Sequence, residues 1–264
     1  MAVDGGAQAL ACEIERAAAL LVSSHYVIAL TGAGVSVESG IPPFRGPGGL
    51  WTKHGEPPMD GYQRFLADPK GYWLQRLTTP SEIVQALADA QPNAGHRAMV
   101  ELETLGILRH LITQNIDNLH RAAGHQRLAE IHGNARLLRC IGCGERFTTD
   151  AIPISPADLP PRCPQCFAII KSDTVHFGEP IPPDVLDVCF RETLRADCIL
   201  VAGTSAQVYP AASLPQMVKE RGGVVIEVNL YATPLTSMAD CSLTGPFGEI
   251  LPALVERVRT QLTA

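Results

Sequence analysis

The chain has 264 residues, is 46% hydrophobic and 18% charged, and carries a net charge of −6, a balance that supports a sizeable core in one or two domains and excludes a disordered or fibrous protein. The acidic excess argues against broad contact with a phosphate backbone, so no direct nucleic-acid partner is expected. Eight cysteines are too dilute for a small disulfide scaffold, Asp4, Glu13 and Glu15 stand where a secretory leader needs basic and then apolar residues, and no apolar run approaches the roughly 20 residues of a membrane span, so a reducing, cytoplasmic location without membrane contact is expected.

Leu10, Ile14, Ala17, Ala18 and Leu21 recur at helical spacing and predict a helix over 7–23 that runs into an apolar, β-branched strand at 25–30. Thr31-Gly32-Ala33-Gly34 ends that strand and opens a long Gly/Pro-dense loop reaching Trp51. Helical periodicity fills 60–105, with breaks at Pro69, Pro80 and Pro92, and Gly106 reads as the cap of the last helix. A strand is expected at 108–113, a short helix at 117–123 and another strand at 127–131. Between 134 and 173 periodicity fades while four cysteines and five prolines accumulate, so this stretch cannot build its own apolar core. Alternation then resumes: helix 184–195, strand 198–202, helix 211–221, strand 224–229, and a C-terminal helix from about Gly248. Strands alternating with helices predict an α/β fold with a doubly wound parallel sheet.

Cys140-x2-Cys143 and Cys163-x2-Cys166, nineteen residues apart, match a four-thiolate zinc ribbon, because each CxxC turn presents two sulfurs to one side of a tetrahedral ion. A redox CxxC explains one pair but not both, and four unrelated buried thiols explain neither spacing. Four thiolates close the coordination shell, so the Zn2+ is read as structural. Cys12, Cys189, Cys198 and Cys241 fall in helical or strand patterns and are read as small buried hydrophobes.

Gly32-Ala33-Gly34 after a strand matches the start of a dinucleotide fingerprint, although Val37 stands where a third glycine belongs, and a tight structural turn is the competing explanation. A second strand ends in Gly203-Thr204-Ser205 and a third at Asn229, and parallel strands of this kind aim their carboxyl ends at one ligand crevice. No GxxxxGK[ST] is present, which argues against a Walker-type ATPase. Gln114-Asn115-Ile116-Asp117 closes a fourth strand with amides and a carboxylate suited to ribose hydroxyls and a carboxamide, though Asp117 also reads as a helix N-cap. His132 follows a strand and precedes Gly133, where an imidazole can serve proton transfer; His25, His54, His96, His110, His120, His125 and His176 compete for that part.

Taken in order, Gly32-Ala33-Gly34-Val35-Ser36 with Glu38-Ser39-Gly40-Ile41-Pro42 and Phe44-Arg45-Gly46, Gln114 to Asp117, His132-Gly133, the two CxxC pairs, Phe177-Gly178-Glu179 and Gly203-Thr204-Ser205 resemble the sirtuin family of NAD-dependent protein deacylases over about residues 20–255. Pro92-Asn93-Ala94-Gly95-His96-Arg97-Ala98 and Tyr209-Pro210 resemble the branch that includes bacterial and mitochondrial desuccinylases. The resemblance implies a Rossmann-like domain (1–60, 106–134 and 174–264) and a small zinc-binding domain built from a helical part (61–105) and a zinc module (135–173). NAD and an acyl-lysine protein or peptide would meet in the cleft between them. By carry-over, Gly32, Ala33, Gly34, Ser36, Phe44, Arg45 and Trp51 wrap the dinucleotide, and Gln114, Asn115, Ile116 and Asp117 serve the nicotinamide end. Gly203, Thr204, Ser205, Asn229, Leu230 and Tyr231 hold the adenosine half, with Phe247 beside adenine. Val175, His176, Phe177, Gly178 and Glu179 pair with the substrate backbone as an added strand. His132 is the implied base and Asn115 its catalytic partner, so that the acyl group passes to ADP-ribose and nicotinamide is released.

The sequence departs from that branch in two places. Its Tyr-x-x-Arg pair, which binds an acyl carboxylate bidentately, is missing: Tyr72 and Arg76 are four apart and fall earlier, as either a shifted clamp or an ordinary solvated arginine, while the aligned region reads Leu77-Thr78-Thr79-Pro80-Ser81. His176 replaces an apolar residue near the expected acyl channel, where it either tunes acyl choice or points to solvent. Neutral acyl groups are therefore expected. An NAD glycohydrolase, an ADP-ribosyltransferase, or a non-catalytic NAD-regulated binding module are the alternatives for the same cleft, and the chain is expected to act as a monomer.

Overall fold

In the computed structural model residues 3–79 and 82–263 are described, so the expected break at Pro80 lies outside them. Helix α1 (Val3–Ser23) buries Ile14, Ala17, Ala18 and Leu21, the stripe that a 3.6 period places on one face. Cys12 is exposed, which corrects its reading as a buried hydrophobe: two positions before Ile14, it sits about 200° around the helix from that stripe. Cys189, Cys198 and Cys241 are buried as expected.

Strand β1 (Val27–Thr31) leads through a 3-10 turn at Ala33–Ser39 to α2 (Leu50–His54). The long helical stretch divides into α3 (Gly61–Ala67), α4 (Pro69–Thr78), α5 (Glu82–Asp89) and α6 (Ala94–Thr104). Pro69 occupies the first turn of α4, where its missing N–H costs nothing, and Asp68 caps that turn by accepting from Gly71 N. Asn93 caps α6 by accepting from His96 N. Then follow β2 (Leu108–Thr113), α7 (Leu119–Ala123), β3 (Leu128–Glu130), β4 (Leu137–Cys140), β5 (Arg146–Thr148) and β6 (Ile170–Ser172). The last third holds α8 (Pro183–Arg195), β7 (Cys198–Ala202), α9 (Ser213–Glu220), β8 (Val224–Asn229), β9 (Cys241–Thr244) and α10 (Phe247–Leu262).

Six strands form one parallel sheet in the order β3-β2-β1-β7-β8-β9. The order runs outward in both directions from the β1–β7 boundary, the topological switch point at which such sheets open a crevice beyond their carboxyl ends. β1 and β7 are buried at every position because helices cover both faces, which is why they read as uninterrupted apolar runs. Val27, Ala29, Cys198 and Leu200 face α1, α6 and α10 through Leu21, Met99, Leu102, Leu251 and Leu254. Ile28, Leu30, Ile199 and Val201 face α8 and α9 through Cys189, Leu214 and Val218.

Two features escaped the periodicity argument. β9 is a four-residue edge strand, Cys-Ser-Leu-Thr, too short to announce itself. The cysteine-rich stretch contains a three-stranded antiparallel sheet, β5-β4-β6, of three- and four-residue strands. Its small core of Leu138, Ile152, Cys163 and Ile170 is completed from outside by Trp73 of α4, which is buried and donates its indole N–H to Ile170 O at 2.8 Å. Helix α6, by contrast, packs on the large sheet through Ala98, Met99 and Leu102, although it lies in the same 61–105 segment.

Candidate active site

The carboxyl ends of β1, β2, β7 and β8 bring four polar segments to one rim of the sheet. Gly32 N donates to Ala202 O and Gly34 N to Gly203 O, so the loops after β1 and β7 run against each other. A Cβ on Gly34 would lie 2.7 Å from Gly203 Cα, and one on Gly32 would lie 2.6 Å from Thr204 Cβ. Both glycines are thus required by backbone approach within the protein, which accounts for the motif without a third glycine; Val37 is exposed. Ala33 opens the 3-10 turn and Ser36 is buried within it.

The segment after β2 faces this junction. Gln114 Nε2 donates to Thr204 Oγ1 at 2.9 Å. Asn115 Nδ2 donates to Gly32 O and to Ser36 Oγ, both at 3.1 Å, so its two amide protons are spent on the protein and Oδ1 is the atom left to meet a ligand. Ser36 Oγ donates to Asp117 Oδ2 at 2.7 Å, and Asp117 Oδ1 accepts from Leu119 N at 2.8 Å. Asn118, not Asp117, is the N-cap residue of α7, and Asp117 fastens the start of that helix from one position earlier, through Leu119 N, while Ser36 ties it to the glycine turn. Burial pushes its carboxyl above the ordinary value, opposed by the Ser36 and Leu119 hydrogen bonds. Ile116 O accepts from Ala135 N, which binds this segment to the one after β3.

His132 Nδ1 lies 3.0 Å from Gln114 O. A carbonyl only accepts, so Nδ1 carries the proton and Nε2 the lone pair. Burial lowers the imidazole pKa below 6.5, with the Gln114 hydrogen bond opposing the shift, so the ring is neutral near pH 7. His132 O accepts from Val175 N at 2.8 Å, and Gly133 beside it has φ +78° and would place a Cβ 1.8 Å from Asp173 O. Only glycine lets the segment 173–175 approach the histidine this closely.

Phe44 and Trp51 pack at 5.1 Å, Arg45 lies over the Trp51 ring at 4.4 Å and pairs with Glu56, and Trp51 meets Phe177 at 5.8 Å. The Gly/Pro loop is thereby joined to the segment 175–179. Asn229 Nδ2 donates to Thr204 O at 3.0 Å, while Leu230 and Tyr231 stand exposed at 47% and 59%. Thr204 Oγ1 also accepts from Ala206 N, closing the turn that carries Ser205. Phe247 is buried, with its ring against Gly95 and 5.7 Å from the His96 ring.

His176 neither points to solvent nor stands free. Its ring lies 6.0 Å from Phe65 and 5.4 Å from Tyr72, Nδ1 is buried, and burial lowers its pKa to about 4. Glu179 is turned inward onto Arg139 and Lys171, while Val175 N, His176 N and Phe177 O are bonded within the protein. His96, His120 and His125 form a separate buried row, with ring centroids 4.7 and 5.3 Å apart. His120 Nε2 meets Thr31 Oγ1, which donates to Thr113 Oγ1, which in turn accepts from Asn115 N. This supporting chain behind Asn115 escaped sequence reasoning, and its one signal was a threonine at the end of both β1 and β2.

The four cysteine sulfurs lie within 4.8 Å of one another, with Cys140 to Cys166 at 3.4 Å and Cys143 to Cys163 at 3.7 Å. Tetrahedral Zn–S bonds of about 2.3 Å require S···S separations of about 3.8 Å, so the donor set and its spacing fit Zn2+.

The Sir2 family model matches residues 32–210. NAD-dependent protein deacylase 1 of Archaeoglobus fulgidus is 46% identical over 243 residues, covering 92% of this chain and 97% of that protein. The NAD-dependent protein deacylase of Pyrococcus abyssi is 44% identical over 253 residues, covering 94% and 99%. Among solved structures, a Sir2 homologue–NAD complex superposes with a TM-score of 0.80 at 46% identity, covering 94% of each chain. A Sir2–p53 peptide–NAD+ complex superposes with a TM-score of 0.75 at 32% identity, covering 92% and 97%.

Proposed function

We propose, from the premise that this chain belongs to the Sir2 family, how its residues divide the work of an NAD-dependent protein deacylase. The protein removes acyl groups from lysine side chains of proteins and consumes NAD in doing so. When bound, NAD supplies the activated ribose carbon that receives the acyl group as nicotinamide departs, and the four cysteines, as thiolates, would hold a structural Zn2+.

His132 is the base. Its Nδ1 proton is committed to Gln114 O, so Nε2 takes a proton from a ribose hydroxyl. Asn115 orients the ribose through Oδ1, with Ser36 and Asp117 fixing the amide from behind. Gly32, Ala33 and Gly34 offer backbone to the diphosphate, Phe44, Arg45 and Trp51 close over it, and Gln114, Ile116 and Asp117 line the nicotinamide side. Gly203, Thr204, Ser205, Asn229, Leu230 and Tyr231 take the adenosine half, with Phe247 beside adenine. The backbone of Val175 to Glu179 pairs with the acyl-lysine peptide, a mode that reads main chain more than side chains.

The 3.0 Å contact of His132 Nδ1 with Gln114 O at the sheet's ligand rim, which commits the Nδ1 proton, is the observation that carries this reading. The domain division follows it, with 1–60, 106–134 and 174–264 as the NAD-binding domain and 61–105 with 135–173 as the small domain, α6 excepted by its packing. No helix among the described residues is long and apolar enough to cross a membrane, and we place the protein in the cytoplasm on its cysteine usage, eight in 264 residues being too dilute for a disulfide scaffold. We take the protein to act as a monomer without nucleic acid.

Incubation with NAD and acetyl-, succinyl- and long-chain acyl-lysine peptides tests the assignment. Peptide-dependent release of nicotinamide is expected. Release without peptide would make the protein a glycohydrolase, and no release would make it a binding module.

A further inference from the structure

Lys171 is completely buried in β6, directly opposite Arg139 in β4. Like charges facing each other across a pair of strands repel, and inside a protein the repulsion is little screened. Two carboxylates relieve it. Glu179 Oε1 accepts from Arg139 Nη2 at 2.5 Å, and Glu179 Oε2 lies 3.1 Å from Lys171 Nζ. Asp173 Oδ1 lies 3.2 Å from Arg139 Nε, and both Asp173 oxygens accept from Arg146 Nε.

The same groups also grip the chain that follows β6. Lys171 Nζ donates to Ser172 O at 2.8 Å and Thr174 O at 2.6 Å, while His176 N donates to Glu179 Oε2 at 2.9 Å and Glu179 N donates to His176 O at 3.0 Å. The segment 174–179 is therefore pinned at both ends by one ammonium and one carboxylate. Both cations come from the strands that the cysteine site holds together: Arg139 is next to Cys140, and β6 begins four residues after Cys166.

We propose that Lys171 and Arg139 are positioning residues for the acyl-lysine peptide, locking the backbone edge of 175–177 through Glu179 onto the small zinc-bearing sheet. The inference rests on the deacylase reading and adds to it a link through which the small sheet that carries the cysteine site would order the peptide edge.

The test is Lys171→Met, which keeps the side chain's length and removes its charge. Steady-state kinetics with varied peptide at saturating NAD should show the peptide KM raised roughly tenfold or more, the loss expected when a charge-assisted hydrogen bond stops supporting a site. The kcat, the KM for NAD and the zinc content should stay within about twofold of wild type, and Lys171→Arg should recover most of the peptide KM. An unchanged peptide KM, or an equal rise in both KM values, overturns the proposal. Should Lys171→Met lose zinc or fail to fold, Lys171→Met with Glu179→Gln removes both buried charges together; a wild-type peptide KM in that double variant is equally fatal. Wild-type protein without peptide-dependent nicotinamide release would instead refute the deacylase reading itself.

Discussion

His132 is where geometry and protonation make the sharpest demand. Its Nδ1 proton is held by Gln114 O at 3.0 Å and burial keeps its pKa below 6.5, so at pH 7.5 at least about nine tenths of the rings carry a lone pair on Nε2. Protonating Nε2 removes the base. Because the folded-state pKa is depressed, the neutral ring persists down to and below pH 6.5, and kcat/KM should fall tenfold per unit only at pH values under the shifted pKa. Replacing the imidazole in His132→Ala should lower kcat by about 10² to 10⁴, or roughly 2.7 to 5.4 kcal/mol of barrier. NAD binding, which draws on four strand ends, should change less than about threefold. Nicotinamide release would be followed from pH 5 to 8, with NAD affinity measured separately by titration calorimetry. A variant within tenfold of wild-type kcat, or an acid limb centred above pH 6.5, would remove His132 from the mechanism.

Gly34→Ala places a methyl 2.7 Å from Gly203 Cα and 2.8 Å from Gly203 O, backbone atoms that cannot rotate away, so urea unfolding should show a loss of about 1 to 3 kcal/mol and NAD should bind more weakly. Cys163→Ser removes one of the four sulfurs from a buried position; metal analysis should find less than one zinc per chain, and thermal melting should show the small sheet released first. The His96, His120 and His125 row predicts acid sensitivity. Burial lowers all three, His96 to about 3 and His120 well below 6.5. An unfolded histidine takes up a proton near pH 6.5 that the buried ring refuses, so stability is complete above that pH. It then declines by up to roughly 1.4 kcal/mol per unit for each ring until the folded pKa is reached. Urea midpoints at pH 7.5 and 5.0 check this; equal midpoints would contradict neutral burial.

Much of this protein is determined by its sequence alone. The apolar runs at β1 and β7, buried on both faces, and the helix pattern between them specify a doubly wound sheet, because each run has only one way to lose its water. Two CxxC pairs specify a tetrahedral thiolate site for the same local reason: two residues between cysteines place both sulfurs on one side of a turn. The residues at the strand ends were legible as a set because parallel strands deliver their carboxyl ends to one rim. Tertiary structure alone decided what depends on partners distant in sequence. Gly34 is needed by Gly203 across 169 residues of chain, Phe247 turns its ring into the core against His96, and Trp73 of α4 completes the core of the zinc module from a segment distant in sequence. Nothing in the local sequence around Lys171 or Arg139 relates one to the other. Only the register of β4 against β6 sets them opposite each other and makes Glu179 indispensable between them, since burial turns a like-charge pair from a small local cost into a constraint on everything nearby.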